Sequence, residues 1–128
     1  MNKLIIDVAS EKIFLMIITK DNIYSIFYDN TKINCEKLII LINDLLNTRH
    51  LKMSDINEIY VNGGMRINAG IRNSLSVVKA INIAKKIDYY CYNLKDFKGE
   101  ENISPENIPK LCNKYKIKKN LINLTYIS

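Results

Sequence analysis

The chain has 128 residues, a mass of 14.9 kDa, 48% hydrophobic and 25% charged residues, and a formal net charge of +6. That is the size of one domain and the composition of a chain with a packed core, which excludes wholesale disorder. No apolar run approaches the ~20 residues of a membrane-spanning helix, and Asp7 interrupts the amino-terminal apolar stretch where a signal peptide would continue.

Read in chain order, Lys3 to Val8 predicts a first strand, Ile13 to Ile18 a second and Ile23 to Tyr28 a third, with Lys20-Asp21-Asn22 as a tight turn. The short connectors make these three antiparallel neighbours. The period then changes. Asn34 caps a helix running to about Arg49, with Leu38, Ile39, Ile42, Leu45 and Leu46 on one face and Ile40 and Leu41 off that stripe. Glu58 to Val61 reads as a short strand, and a Gly-containing loop from Asn62 to Gly70 follows it. A second helix over about Ile71 to Ile87 carries two apolar stripes: Ile71, Leu75 and Val78 on one side, and Val77, Ala80, Ile81, Ala84 and Ile87 on the other. A helix with two such stripes is expected to pack between a sheet and something else. Asp88 to Leu94 is a further strand. Ser104 then caps a helix over Ile108 to Tyr115, and Leu121 to Ile127 closes the chain as a strand.

The expected fold class is therefore α/β: a mixed sheet in the order β-β-β-α-β-α-β with a short α-β tail. That order is the one of the ribonuclease H-like fold of the actin and sugar-kinase superfamily, and order alone carries no chemistry.

Candidate chemistry is sparse. Asp7 ends an apolar strand, and the glycines around Gly64 and Gly70 either present N–H groups to an anion or simply permit a strand-to-helix turn. The loop has neither a P-loop pattern nor a dinucleotide fingerprint. His50 is the only histidine, and no nucleophile–base arrangement stands out, so neither catalysis nor a metal or cofactor is expected. Cys35, Cys91 and Cys112 lack CxxC spacing and read as reduced thiols in a cytosolic chain. Beyond Glu106 there is no acid, while Lys110, Lys114, Lys116, Lys118 and Lys119 follow. Such a cluster either touches RNA phosphates or forms a solvated face.

Several stretches carry a family pattern. Glu36, Leu38, Ile42, Leu45 and Leu46 fit a helix of the type H-S-E-x-L-x-x-x-I-x-x-L-L, and Asp55-Ile56, Ile59 and Val61 fit a D-I-x-x-I-x-V strand approach. Gly64, Gly70, Ile71 and Arg72 fit a loop G-P-G-S-F-T-G-L-R-I-G, with Lys79, Ile81 and Ala84 in the helix it opens. Ile6 and Asp7 fit the start of I-D-T-S-T. The first ~95 residues thereby resemble the bacterial tRNA threonylcarbamoyladenosine biosynthesis protein family TsaB, shortened to about one lobe. Met65 to Ala69 depart from P-G-S-F-T, and Asn73-Ser74 stand where I-G is usual.

The resemblance implies a lobe over residues 1–95 and a tail over 96–128 in place of the second lobe. It also implies a non-catalytic scaffold that pairs through its two helices with a TsaD-like catalytic subunit. The implied task is threonylcarbamoylation of adenosine 37 of tRNA, with a TsaE-like ATPase as a further partner and tRNA reached through the complex. The expected partner surface is Leu38, Ile40, Leu41, Ile42 and Leu45 with Ile71, Leu75 and Val78, and a homodimer would reuse it when the chain is alone. Two alternatives remain: an RNA-binding module using Lys114, Lys116, Lys118 and Lys119, or a degenerate nucleotide-binding lobe at Asp7 and Gly64.

Overall fold

The computed structural model describes residues 1–29, 33–64 and 68–122. Three strands open the chain: β1 (Lys3–Asp7), β2 (Lys12–Ile18) and β3 (Ile23–Asp29). They are followed by α1 (Cys35–Thr48), β4 (Glu58–Asn62), α2 (Ala69–Lys85), β5 (Asp88–Tyr92) and α3 (Ile108–Lys114). The five strands form one sheet in the order β3-β2-β1-β4-β5. β1 and β2, like β2 and β3, pair antiparallel, whereas β4 runs parallel to both β1 and β5. The three antiparallel strands followed by two crossovers, read from the sequence as a mixed sheet, are thus present. The carboxy-terminal strand expected over Leu121 to Ile127 falls mostly outside the described residues.

Alternation along the strands divides the core. Leu4, Ile6, Leu15, Ile17, Ile59 and Val61 face α1 and α2, which bring Leu38, Ile42, Leu46, Ile71 and Val78 onto them. Ile5, Phe14, Met16, Tyr60 and Tyr92 point to the other face, where Phe97 and the α3 residues Ile108, Leu111 and Cys112 cover them. β1 and β2 are buried on both sides, which explains their unbroken apolar runs. β3 is an edge strand with strict alternation: Tyr24, Ile26 and Tyr28 pack inward, and Ile23 and Phe27 are exposed.

The helix caps follow local chemistry. The Asn34 side chain accepts from the Lys37 N–H at the start of α1, as its position before an apolar-periodic run implies. Asn68 does the same for α2 by accepting from Ile71 N–H at 2.9 Å. Ser104 makes no side-chain capping bond; a single 3-10 turn over Pro105–Asn107 leads into α3 instead.

Candidate functional site

The carboxyl ends of the parallel strands, where open α/β sheets place ligands, converge on Asp7, Asn62, Gly64 and Asn93. Asp7 is turned onto its own chain. Its Oδ1 accepts from Ala9 N–H at 2.9 Å, and its Oδ2 accepts from the Asn62 amide at 3.2 Å. The Asn62 carbonyl oxygen in turn accepts from Gly64 N–H at 2.8 Å. Gly64 sits at φ +70°, in the left-handed region that glycine adopts without a Cβ penalty. Asn93 clamps the same turn by donating to the Gly64 carbonyl at 2.6 Å.

The anion cradle considered for this loop is therefore largely used up. Gly63 N–H goes to the Tyr92 carbonyl, Gly64 N–H to Asn62 and Ile71 N–H to the Asn68 cap. Gly70 lies in the first turn of α2 and Arg72 is exposed on it, its N–H closing the first helical bond to Asn68. Met65, Arg66 and Ile67 lie outside the described residues. A hollow of about 340 Å³ remains beside this network, lined by Ala9, Asn68 and Leu94 among others. The polar side chains that line it are the amides of Asn62, Asn68 and Asn93. Among the described residues, no group of three or more His, Cys, Asp or Glu is placed to hold a metal ion.

The helical layer requires a correction. Leu38, Ile42 and Leu45 of α1 and Ile71, Leu75 and Val78 of α2, expected on a partner surface, are buried within this chain. They are the stripe that α1 and α2 press onto the sheet. Leu41 is half-buried against the same core, and of the eight residues only Ile40, at 50% exposure, stands free. The outward face is built from Ile39, expected on the main α1 stripe but exposed, and from Ala80 and Ala84 of the second α2 stripe, whose Val77 and Ile87 are buried. Ile39 and Asn43 of α1 face Ala80, Ile81 and Ala84 of α2 across a groove of about 400 Å³, with the buried Ile42 and Val77 at its base. The two helices run side by side in the same sense. At one end, Asn73 donates to the Ile33 carbonyl at 2.9 Å and receives the Cys35 thiol at 3.6 Å; the groove opens further along both helices.

The lysine tail also separates into unlike parts. Lys114 is bound to Glu100 at 2.8 Å, and Lys119 to Asp88 at 3.6 Å. The hydrogen bond from Lys114, then that from Tyr115, holds the Glu100 carboxyl below the ordinary range. The hydrogen bond from Asn120, with Lys119 beside it, does the same for Asp88. Lys116 and Lys118 are exposed. Burial pushes the Cys91 thiol up to about 11 and the Cys112 thiol to about 12. His50, just past the carboxyl end of α1, is exposed at φ +57° and donates its N–H to the Asn47 carbonyl.

A five-stranded mixed sheet of order β3-β2-β1-β4-β5, with crossover helices on one face, is a ribonuclease H-like fold. Among solved structures the chain is similar to YeaZ from Pseudomonas aeruginosa, also called TsaB. The TM-score is 0.66 at 17% identity, over 72% of this chain and 43% of that one. A structure described as an uncharacterized protein with similarity to peptidase YEAZ from Pseudomonas aeruginosa gives the same values. RuvC of T. thermophilus, in complex with a Holliday junction substrate, matches at a TM-score of 0.52 and 10% identity, over 98% of this chain and 86% of that one. At these identities the likeness is one of fold. The chain spans less than half the length of the YeaZ structures. No family model matches the sequence, and no curated protein matches it significantly. No helix among the described residues is long and apolar enough to cross a membrane.

Proposed function

We propose that the chain is a non-catalytic, cytoplasmic docking lobe that pairs through the outer face of α1 and α2 with a catalytic subunit of the TsaD type, in threonylcarbamoylation of tRNA adenosine 37. A TsaE-type ATPase and the tRNA itself belong to the same assembly. The observation that carries the reading is the groove between the helices. Ile39, Ala80 and Ala84 offer exposed apolar surface along it, with Ile81 half-buried between that surface and the core. Exposed Ile40 lies one residue beyond it. Small residues at Ala80 and Ala84 let a partner helix approach closely, in the manner of ridges entering a groove. The motif resemblance and the YeaZ-like fold support the choice of partner. The engaged N–H groups around Gly64, and the Asp7 carboxylate held by Ala9 and Asn62, do not favour a nucleotide there.

The test is calorimetry with a TsaD-type protein from the same genome. Ile39→Asp and Ala80→Asp, both at exposed positions, should keep the wild-type melt and lose binding, because a charge in an interface core is left desolvated and unpaired. Undiminished binding by both variants would remove this reading.

A further inference from the structure

On the opposite side of the sheet from the helix groove, a hollow of about 430 Å³ lies between β1, β4, β5 and α3. Its volume falls within the range of small-molecule sites. Its lining includes two tyrosines that also pack in the second core face and share one carboxylate. Tyr60 and Tyr90, paired across β4 and β5, stack with ring centroids 4.9 Å apart and planes 10° from parallel. Both hydroxyls donate to one carboxylate, Tyr60 to Glu58 Oε1 at 3.1 Å and Tyr90 to Oε2 at 3.4 Å. Tyr60 is almost wholly buried, and Tyr90 is only partly so, which makes Tyr90 the ring a ligand can reach. Burial, followed by the Glu58 charge, raises both phenols, so they stay hydrogen-bond donors at neutral pH.

Around this pair stand Lys3, Lys110 and Lys116, on the first residue of β1, on α3 and just beyond α3. None of them takes part in the ion pairs among the described residues, unlike Lys114 and Lys119. Three lysines against one carboxylate leave the lining with two uncompensated positive charges. A phosphomonoester carries about −1.5 to −2 at pH 7 and would offset them. Pro109, Cys112, Asn113 and Ile117 complete the lining.

We infer that this hollow binds a nucleoside monophosphate, its base against Tyr90 and its phosphate among Lys3, Lys110 and Lys116, either as a free nucleotide or as the phosphorylated end of single-stranded RNA. Base–aromatic stacking tolerates any base, and lysines recognise phosphate as point charges, so the site would be selective for phosphate and weakly selective for base.

The experiment is calorimetric titration of the full chain at low salt with adenosine 5′-monophosphate, with adenosine, and with short oligoadenylates bearing or lacking a 5′-phosphate. The monophosphate should saturate at or below about 1 mM, with adenosine at least about tenfold weaker. The double variant Lys110→Glu/Lys116→Glu should weaken the monophosphate at least about tenfold while keeping the wild-type melt, because both positions are exposed. Tyr90→Leu should weaken both monophosphate and adenosine. A phosphorylated oligonucleotide that binds tighter than the monophosphate identifies an RNA end as the source, and equal affinity identifies the free nucleotide. The inference is overturned if phosphate gives no advantage over adenosine, if the double variant binds as the wild type does, or if nothing saturates. Binding to the docking partner should be unaffected by these variants, because the two sites lie on opposite faces of the sheet.

Discussion

Asn62 and Asp7, 55 residues apart in sequence, meet at the ends of adjacent parallel strands, the amide nitrogen donating to the carboxylate at 3.2 Å. The contact is a structural clasp. The same Asn62 side chain holds the Gly64 turn, so the carboxylate, the strand end and the crossover loop are set together. Asn62 is 4% exposed and uses both ends of its amide. Replacing it by Ala leaves the Gly64 N–H without its acceptor and should cost about 1–3 kcal/mol. Urea denaturation would show this as a lower midpoint at unchanged slope.

The two stripes of α2 should respond oppositely to charge. Val78→Asp buries a carboxylate against the sheet at a position with no exposed surface and should abolish the cooperative melt. Ala84→Asp, in the outer groove, should leave the melt within about 0.5 kcal/mol of wild type. Circular dichroism melts of the two variants check the assignment of faces, independently of any partner.

Acid should loosen the tail. The Asp88 and Glu100 carboxyls are held below their ordinary range, so the folded state releases their protons more readily than the unfolded chain does. Their contribution is complete above the usual carboxylate value near 4 and disappears as the pH falls through the lower folded values. Glu100 ties Lys114 and Tyr115 to the segment before α3, and Asp88 ties Asn120 and Lys119 to β5. The double variant Asp88→Asn/Glu100→Gln should flatten the loss of stability between about pH 5 and 3. Melts across that window in wild type and variant measure it, and parallel pH profiles would contradict it.

The thiols should differ in reactivity. With pKa values near 11 and 12, Cys91 and Cys112 hold at most about a thousandth of their population as thiolate at pH 8. Cys35 is only partly buried. Brief treatment with iodoacetamide should therefore modify Cys35 alone, with Cys91 and Cys112 reacting once denaturant is added. Intact-mass measurement reads the number and peptide mapping the sites.

The element order is readable because each signal is local: aromatic and β-branched residues in β3, an Asn before the periodic run of α1, and glycines after β4. Asn68, the cap of α2, lies inside a glycine-containing loop, where no local signal separates a cap from a turn residue. The two stripes of α2 were also readable, but helical periodicity gives the angle between stripes and not which one meets the sheet. In this chain Ile71, Leu75 and Val78 fill the space above the strands, Val77 and Ile87 of the second stripe join the same core, and only its alanines Ala80 and Ala84 are left exposed. Leu75 and Val78, expected on the partner side, therefore lie on the sheet side. The Tyr60–Tyr90 pair was out of reach for another reason: it rests on the parallel register of β4 and β5, across an intervening helix.

The sheet order also sets a sequence of events for the folding chain. β1, β2 and β3 join through short turns and pair with near neighbours, so that half can assemble at small loop-closure cost. β4 must return over α1 to lie beside β1, and β5 over α2 to lie beside β4. These pairings are non-local, and non-local pairing slows folding. The hairpin half is thus placed to act as a template, with β1 offering its open edge until the crossovers dock. Substitutions in the β2–β3 hairpin should then change the folding rate, whereas substitutions around β5 and α3 should appear mainly in the unfolding rate.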